Sequence, residues 1–252
     1  MTTSNNRQFN NLQPSEMKTS PPDHLIDAIQ VDDAPGLSSA RQQMLDKTEA
    51  FVRTELSGET SGHDWWHIHR VVQMTRRLAA AEQADLFVCT MAALLHDIPD
   101  EKLNVSKEAG MERLNYWLDE QPLEQQDREH ILEIIGNMSY NGGNNPPMRT
   151  IEGQVVQDAD RLDAIGAIAI ARCFVYAGHV GDLMYDPEVP VRENMTAEEY
   201  RNGQSTAINH FHEKLLKLKD RINTPAAREI AEERHQYMQD YVDRFYREWN
   251  GI

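Results

Sequence analysis

The chain has 252 residues, a length that suits one large or two small domains. Its formal net charge is −16, which repels nucleic-acid phosphates and anionic lipid and argues against a nucleic-acid-polymer or membrane-surface partner. Apolar residues make up 40% of it, enough for a core, while two cysteines, Cys89 and Cys173, exclude a disulfide scaffold and a cysteine-type zinc module.

Residues 1–36 are rich in Asn, Gln, Ser, Thr and Pro and are expected to form a disordered tail. Residues 37–252 are then the folded domain. Ser38 or Ser39 caps a first helix that runs to about Leu56, and Gly58 to Gly62 is a break. A second helix follows, with His67, Val71, Met74 and Leu78 on one face. Asp85 caps a third helix over 86–95, apolar almost all round and hence central, and Pro99 lies just beyond its end. Helices are expected over 103–118 and 123–138, and the NGGNNPP stretch at 141–147 is a loop. A long apolar helix over 151–177 comes next, then an irregular segment over 178–196 with Pro187 and Pro190. Two helices close the chain, over 197–218 and 224–249, the last with Thr224 as N-cap and Pro225 in its first turn. No segment alternates as a strand does, so the expected class is all-α. The N-terminus has no apolar signal region and the 86–95 run is too short for a bilayer, which points to the cytoplasm.

Polar groups interrupt the apolar faces at few places. His67 sits on the apolar stripe of its helix, His96-Asp97 ends the most apolar helix, and Asp160 shares a face with Val156, Ala164 and Ala167. A buried unpaired carboxylate costs several kcal/mol or loses its charge, so acids aimed at a core call for a cation. Two imidazoles and two carboxylates from three helices would hold one divalent ion, and four protein ligands leave positions open for metal-assisted hydrolysis. Mn is the first expectation, with Co, Ni, Fe, Mg and Zn as alternatives.

This ordered series (His67-x-x-Arg70-Val71, His96-Asp97 after Ala-Ala-Leu-Leu, and Asp160 in Asp-Ala-Asp-Arg-Leu-Asp) resembles the HD-domain metal-dependent phosphohydrolases. The resemblance implies a helical HD-type bundle with His67, His96, Asp97 and Asp160 as metal ligands. Gly-His-Asp-Trp-Trp-His, Leu-Leu-His-Asp-Ile-Pro-Asp-Glu-Lys and Gln-Asp-Ala-Asp-Arg-Leu-Asp-Ala-Ile-Gly are similar to one bacterial subgroup, in which at least one relative is a nucleoside triphosphate pyrophosphohydrolase. An acidic pair just after the His-Asp, here Asp100 and Glu101, has proposed catalytic roles in related alarmone hydrolases. A carboxylate outside the ligand set suits general acid–base work.

Lys102 and His63 are assigned to substrate phosphate, as are Arg172 and the series His210, Lys214, Lys217, whose spacings of 4 and 3 place it on one helix face. Asp163 is a candidate acceptor for a ligand histidine, and Asp158, roughly opposite Asp160, is expected to be solvated or salt-bridged. Trp65 and Trp66 are read as packing residues. The expected activity is metal-dependent hydrolysis of a nucleoside (deoxy)triphosphate to monophosphate and pyrophosphate. A nucleoside monophosphatase or another small-phosphoester hydrolase is the alternative, and a non-catalytic nucleotide sensor is the rival from another class. The sequence permits a homodimer without fixing the oligomeric state.

Overall fold

Side-chain caps set most of the helix starts. Ser38 accepts from the Arg41 amide ahead of α1 (Ser39–Glu55), and Asp64 accepts from the His67 amide at 2.8 Å ahead of α2 (Trp65–Glu82). Asp85 takes the amides of Phe87 and Val88 at the head of α3 (Leu86–Leu95), and Ser106 caps α4 (Lys107–Asp119). After α5 (Gln125–Asn137), Thr150 caps α6 (Ile151–Asp163). Then come α7 (Ala167–Val180), α8 (Ala207–Glu213), two 3-10 turns and α9 (Pro225–Trp249). The computed structural model describes residues 37–58, 64–100, 103–138, 147–193, 195–196, 203 and 205–252. Among them the structure is all-α, and its only bridge of strand type joins Leu183 to Thr206. The expected tail at 1–36 and most of the 141–147 loop lie outside the described residues, as do His63, Glu101 and Lys102.

Residues Leu37–Ile252 form one compact unit. Its centre is α3, buried from Phe87 to Leu95, with α1, α2, α5 and α6 packed around it. The apolar all-round composition of α3 has this cause: every side meets another helix. Helices α2 and α6 pack against each other, and this pairing brings His67 to Asp160. No single described helix is long and apolar enough to cross a membrane.

Four elements differ from expectation. The helix expected over 103–118 begins at Lys107, because Ser106 supplies the cap and Asn104 spends its amide on the carbonyls of Ile98 and Asp100. The long helix expected over 151–177 is two helices bent by 66°. Gly166 makes the bend at φ +92°, a conformation open to glycine, and its open side lets the Arg234 stem pack against the backbone. The irregular segment correspondingly starts after Val180, at Gly181. Finally, of the helix expected over 197–218, residues 197–202 and 204 lie outside the described residues, and the described part is α-helical from Ala207 to Glu213 and continues as 3-10 turns at Leu215–Lys217 and Lys219–Arg221.

Candidate metal centre

The ligand candidates converge from three places. His67 lies in the first turn of α2, His96 and Asp97 follow the end of α3, and Asp160 lies in the last turn of α6. His67, His96 and Asp97 are buried, and Asp160 is partly open to solvent. His67 Nε2 is 3.5 Å from Asp97 Oδ2 and 3.5 Å from Asp160 Oδ1. His96 Nε2 is 3.3 Å from Asp97 Oδ1 and 3.9 Å from Asp160 Oδ1. Metal bonds of about 2.1 Å place adjacent donors of an octahedral ion about 3 Å apart and opposed donors about 4 Å apart. The observed separations fall on that scale. Donor atoms of His67, His96 and Asp97 all lie within 4.8 Å of one another.

The tautomers are set from behind. His96 Nδ1 donates to the Ala93 carbonyl at 2.8 Å, so its Nε2 carries the lone pair. That Nε2 is buried with no hydrogen-bond partner among the described residues. Such an orphaned acceptor between two carboxylates fits a cation. Burial would push His96 down, but the charges of Asp97 and Asp160, the Ala93 carbonyl and Asp100 outweigh it and raise its pKa. The field that favours a proton there favours a metal ion equally.

His67 Nδ1 lies 2.7 Å from Asp163 Oδ2 and donates to it, leaving Nε2 for the centre. Asp163 also accepts from Arg70 Nε at 2.7 Å, from Arg70 Nη2 at 3.0 Å, and from Arg172 Nη1. Burial would raise the Asp163 carboxyl. The hydrogen bonds from His67 and Arg70, with the charges of His67 and Arg172, outweigh it and hold Asp163 well below the usual carboxylate range. Arg172 therefore stands beside the centre, tied to Asp163.

Asp100 sits half-buried on the turn after Pro99, near enough to add to the field at His96. Lys214 and His210 are half-buried and Lys217 is exposed. They do not share one α-helical face, because α8 ends at Glu213 and Lys214 adopts φ −137°, ψ −60°. Buried Glu213 is clamped by Arg192 Nε at 2.9 Å and Nη2 at 2.7 Å and by the Ser205 hydroxyl, which fixes α8 against the segment before it. His210 is held down to about 4 by burial and by Lys214 and Arg192.

Asp158 differs from expectation. It is buried and accepts from the amides of Asn223 and Thr224, the Asn223 side chain and the Thr224 hydroxyl, and so anchors the start of α9. Thr224 thus spends its hydroxyl on Asp158 instead of on its own helix. Trp65 packs on the core under the Arg53 guanidinium, whereas Trp66 is 61% exposed and departs from the packing reading. Arg70 went unassigned in the sequence, although it lies one turn after His67 as Asp163 lies one turn after Asp160; the two equal spacings signal that the pair can meet behind the centre.

The family pattern described as the HD domain matches residues 65–165. YpgQ of Bacillus subtilis, an uncharacterized protein, is 37% identical over 209 residues, 82% of this chain and 94% of that one. A crystal structure of YpgQ in complex with ADP superposes with a TM-score of 0.68, covering 83% of this chain and 96% of YpgQ at 35% identity. A Bacillus thuringiensis protein described as an HD-superfamily hydrolase has a TM-score of 0.68 and 47% identity, covering 84% of this chain and all of its own. A Lactobacillus plantarum structure reaches a TM-score of 0.76 at 41% identity, over 86% of this chain and all of that one.

Proposed function

Because this chain belongs to the HD-domain superfamily of hydrolases, we propose that it is a divalent-metal-dependent phosphohydrolase converting nucleoside (deoxy)triphosphates to monophosphate and pyrophosphate. The observation that carries the reading is the grouping of donor atoms of His67, His96 and Asp97, with Asp160 Oδ1 3.5 Å from His67 Nε2 and 3.9 Å from His96 Nε2, and with His96 Nε2 lacking a hydrogen-bond partner among the described residues. The ADP bound to the related YpgQ supports a nucleotide as the ligand. These four residues would hold the ion, Mn first among the candidates. When bound, it supplies charge neutralisation at a phosphate oxygen and lowers the pKa of an adjacent water.

The chain's own residues do the rest. Ala93 and Asp163 fix the two imidazoles, and Arg70 and Arg172 keep Asp163 ionised. Asp100 takes the proton of the attacking water or returns one to the departing pyrophosphate, a task it shares with Glu101. Arg172, Lys214, Lys217 and His210 are assigned to the polyphosphate, with His210 neutral and donating a hydrogen bond, and His63 and Lys102 are assigned to it from the sequence alone. Two buried or half-buried free thiols, Cys89 and Cys173, suit a reducing compartment, so we place the reaction in the cytoplasm.

The test is a product assay. Protein stripped of metal is reloaded with Mn, Co, Ni, Mg or Zn and given ribo- and deoxynucleoside mono- and triphosphates, with phosphate and pyrophosphate counted separately. Metal-dependent pyrophosphate from triphosphates is expected. Phosphate from monophosphates alone would replace the reading with a nucleotidase. Stoichiometric nucleotide binding without turnover under any metal would replace it with a sensor.

A further inference from the structure

The chain leaves α3 with its chemistry on the next few residues. His96 and Asp97 follow the helix, and Asp100 comes after Pro99. Two backbone bonds of 3.0 Å shape this turn: the Ile98 amide donates to the Leu95 carbonyl, and the Asp100 amide donates to the Asp97 carbonyl. Pro99 between them has a fixed φ and no N–H to offer. The buried Ile98 carbonyl still needs a donor.

Asn104 supplies it. Its Nδ2 donates to the Ile98 carbonyl at 2.7 Å and to the Asp100 carbonyl at 2.8 Å. Each hydrogen of one amide nitrogen is thus spent on one end of the Ile98-Pro99-Asp100 turn. Helix α4 closes on the same turn at Gly110. A Cβ on Gly110 would lie 2.7 Å from Pro99 Cα, 2.9 Å from the Pro99 carbonyl oxygen and 2.8 Å from Asn104 Nδ2. Two of these atoms are backbone, which has no rotamer to retreat into. Gly110 has no positive φ to account for it, and a glycine inside a helix costs about 1 kcal/mol against alanine. Close approach to the turn is what it provides.

We propose that Asn104 is a positioning residue for Asp100: it pins the turn that carries this carboxylate beside the metal ligands, and Gly110 lets α4 seat that turn. The inference deepens the proposed function and rests on Asp100 as the proton carrier in it. Asn104 acts on that carrier and not on the ion, because Asp97 is already set by the end of α3 through the Ile98 amide. A reacting group misplaced by about 1 Å loses on the order of 100-fold in rate.

The test uses the full chain loaded with Mn. N104A removes both donors and should lower kcat about 10–100-fold, with KM and Mn affinity within threefold of the wild type. G110A should do the same with helical circular dichroism retained, although alanine is the better helix former. Hydrogen exchange of the Asp100 and Leu103 amides, both bonded within the turn, should speed at least tenfold in N104A while the α3 amides are unchanged. On a D100N background, adding N104A should change kcat less than twofold, since the group it positions is gone. An unchanged kcat in N104A or G110A overturns the proposal. So does a loss of Mn affinity in step with kcat, an unchanged exchange rate, or a full N104A effect on top of D100N. A wild-type chain that leaves triphosphates intact refutes the proposed activity instead, and the exchange rates alone then decide whether Asn104 holds the turn.

Discussion

Replacing Asp163 by Asn tests the support of the centre without touching a ligand. The amide keeps the volume and one acceptor but removes the charge that Arg70 and Arg172 share, and it can present an N–H to donors. Breaking a buried pair by removing one partner costs about 3–5 kcal/mol. Asp163 is buried, but the two arginine side chains are each 29% exposed and recover hydration, so the expected loss is about 2–3 kcal/mol. In a chain of this size that lowers Tm by roughly 5–10 °C. The second effect is on His67, which loses its strong acceptor at 2.7 Å and with it a fixed ring orientation. Loss of such a supporting contact weakens metal binding about 10–100-fold. Calorimetric titration with Mn, at a temperature where both proteins are folded, reads this directly. If D163N binds Mn within twofold of the wild type, Asp163 does not orient His67 and the argument from tautomers fails.

Other predictions follow from the same structure. Asp158→Ala leaves the amides of Asn223 and Thr224 without their acceptor, and urea unfolding should show a loss of about 3 kcal/mol. An unchanged urea midpoint would mean that α9 is anchored elsewhere. Gly166→Ala forces a side chain into φ +92° and against the Arg234 stem, at a cost of about 1–3 kcal/mol read as a Tm shift; a neutral variant would contradict the bend. His210 ionises at about 4 in the folded chain and near 6.5 when unfolded, so the folded state binds fewer protons in between. Its contribution is complete above about pH 6.5 and is lost as pH falls toward 4, by about 3 kcal/mol at the limit. His210→Gln should flatten the stability profile across that window, and a profile parallel to the wild type would count against the assignment.

Much of the frame is legible in the residues because local rules set it. Asp85 stands where a cap is needed, and the apolar run from Leu86 to Leu95 has only one place to go. The ligand candidates stand out because each interrupts an apolar face. What is not legible depends on distant partners. The pattern Ala164-Ile165-Gly166-Ala167-Ile168 stays apolar through the bend, and a lone glycine does not by itself end a helix. Asp158 looks solvated on a helical wheel, since nothing near it shows that Asn223 and Thr224 will cover it. The His210, Lys214, Lys217 stripe fails because α8 ends at Glu213, and the residue that holds Glu213, Arg192, lies more than twenty residues before Lys214 and outside any helical wheel.

Four side chains are proposed to grip one divalent ion, and equilibrium dialysis against Mn of the wild type and of Asp97→Ala reads that grip. The wild type should bind one Mn per chain. D97A, with its helical circular dichroism retained, should bind at least 100-fold more weakly and lose turnover. Equal stoichiometry and affinity in the two proteins would contradict the centre described here.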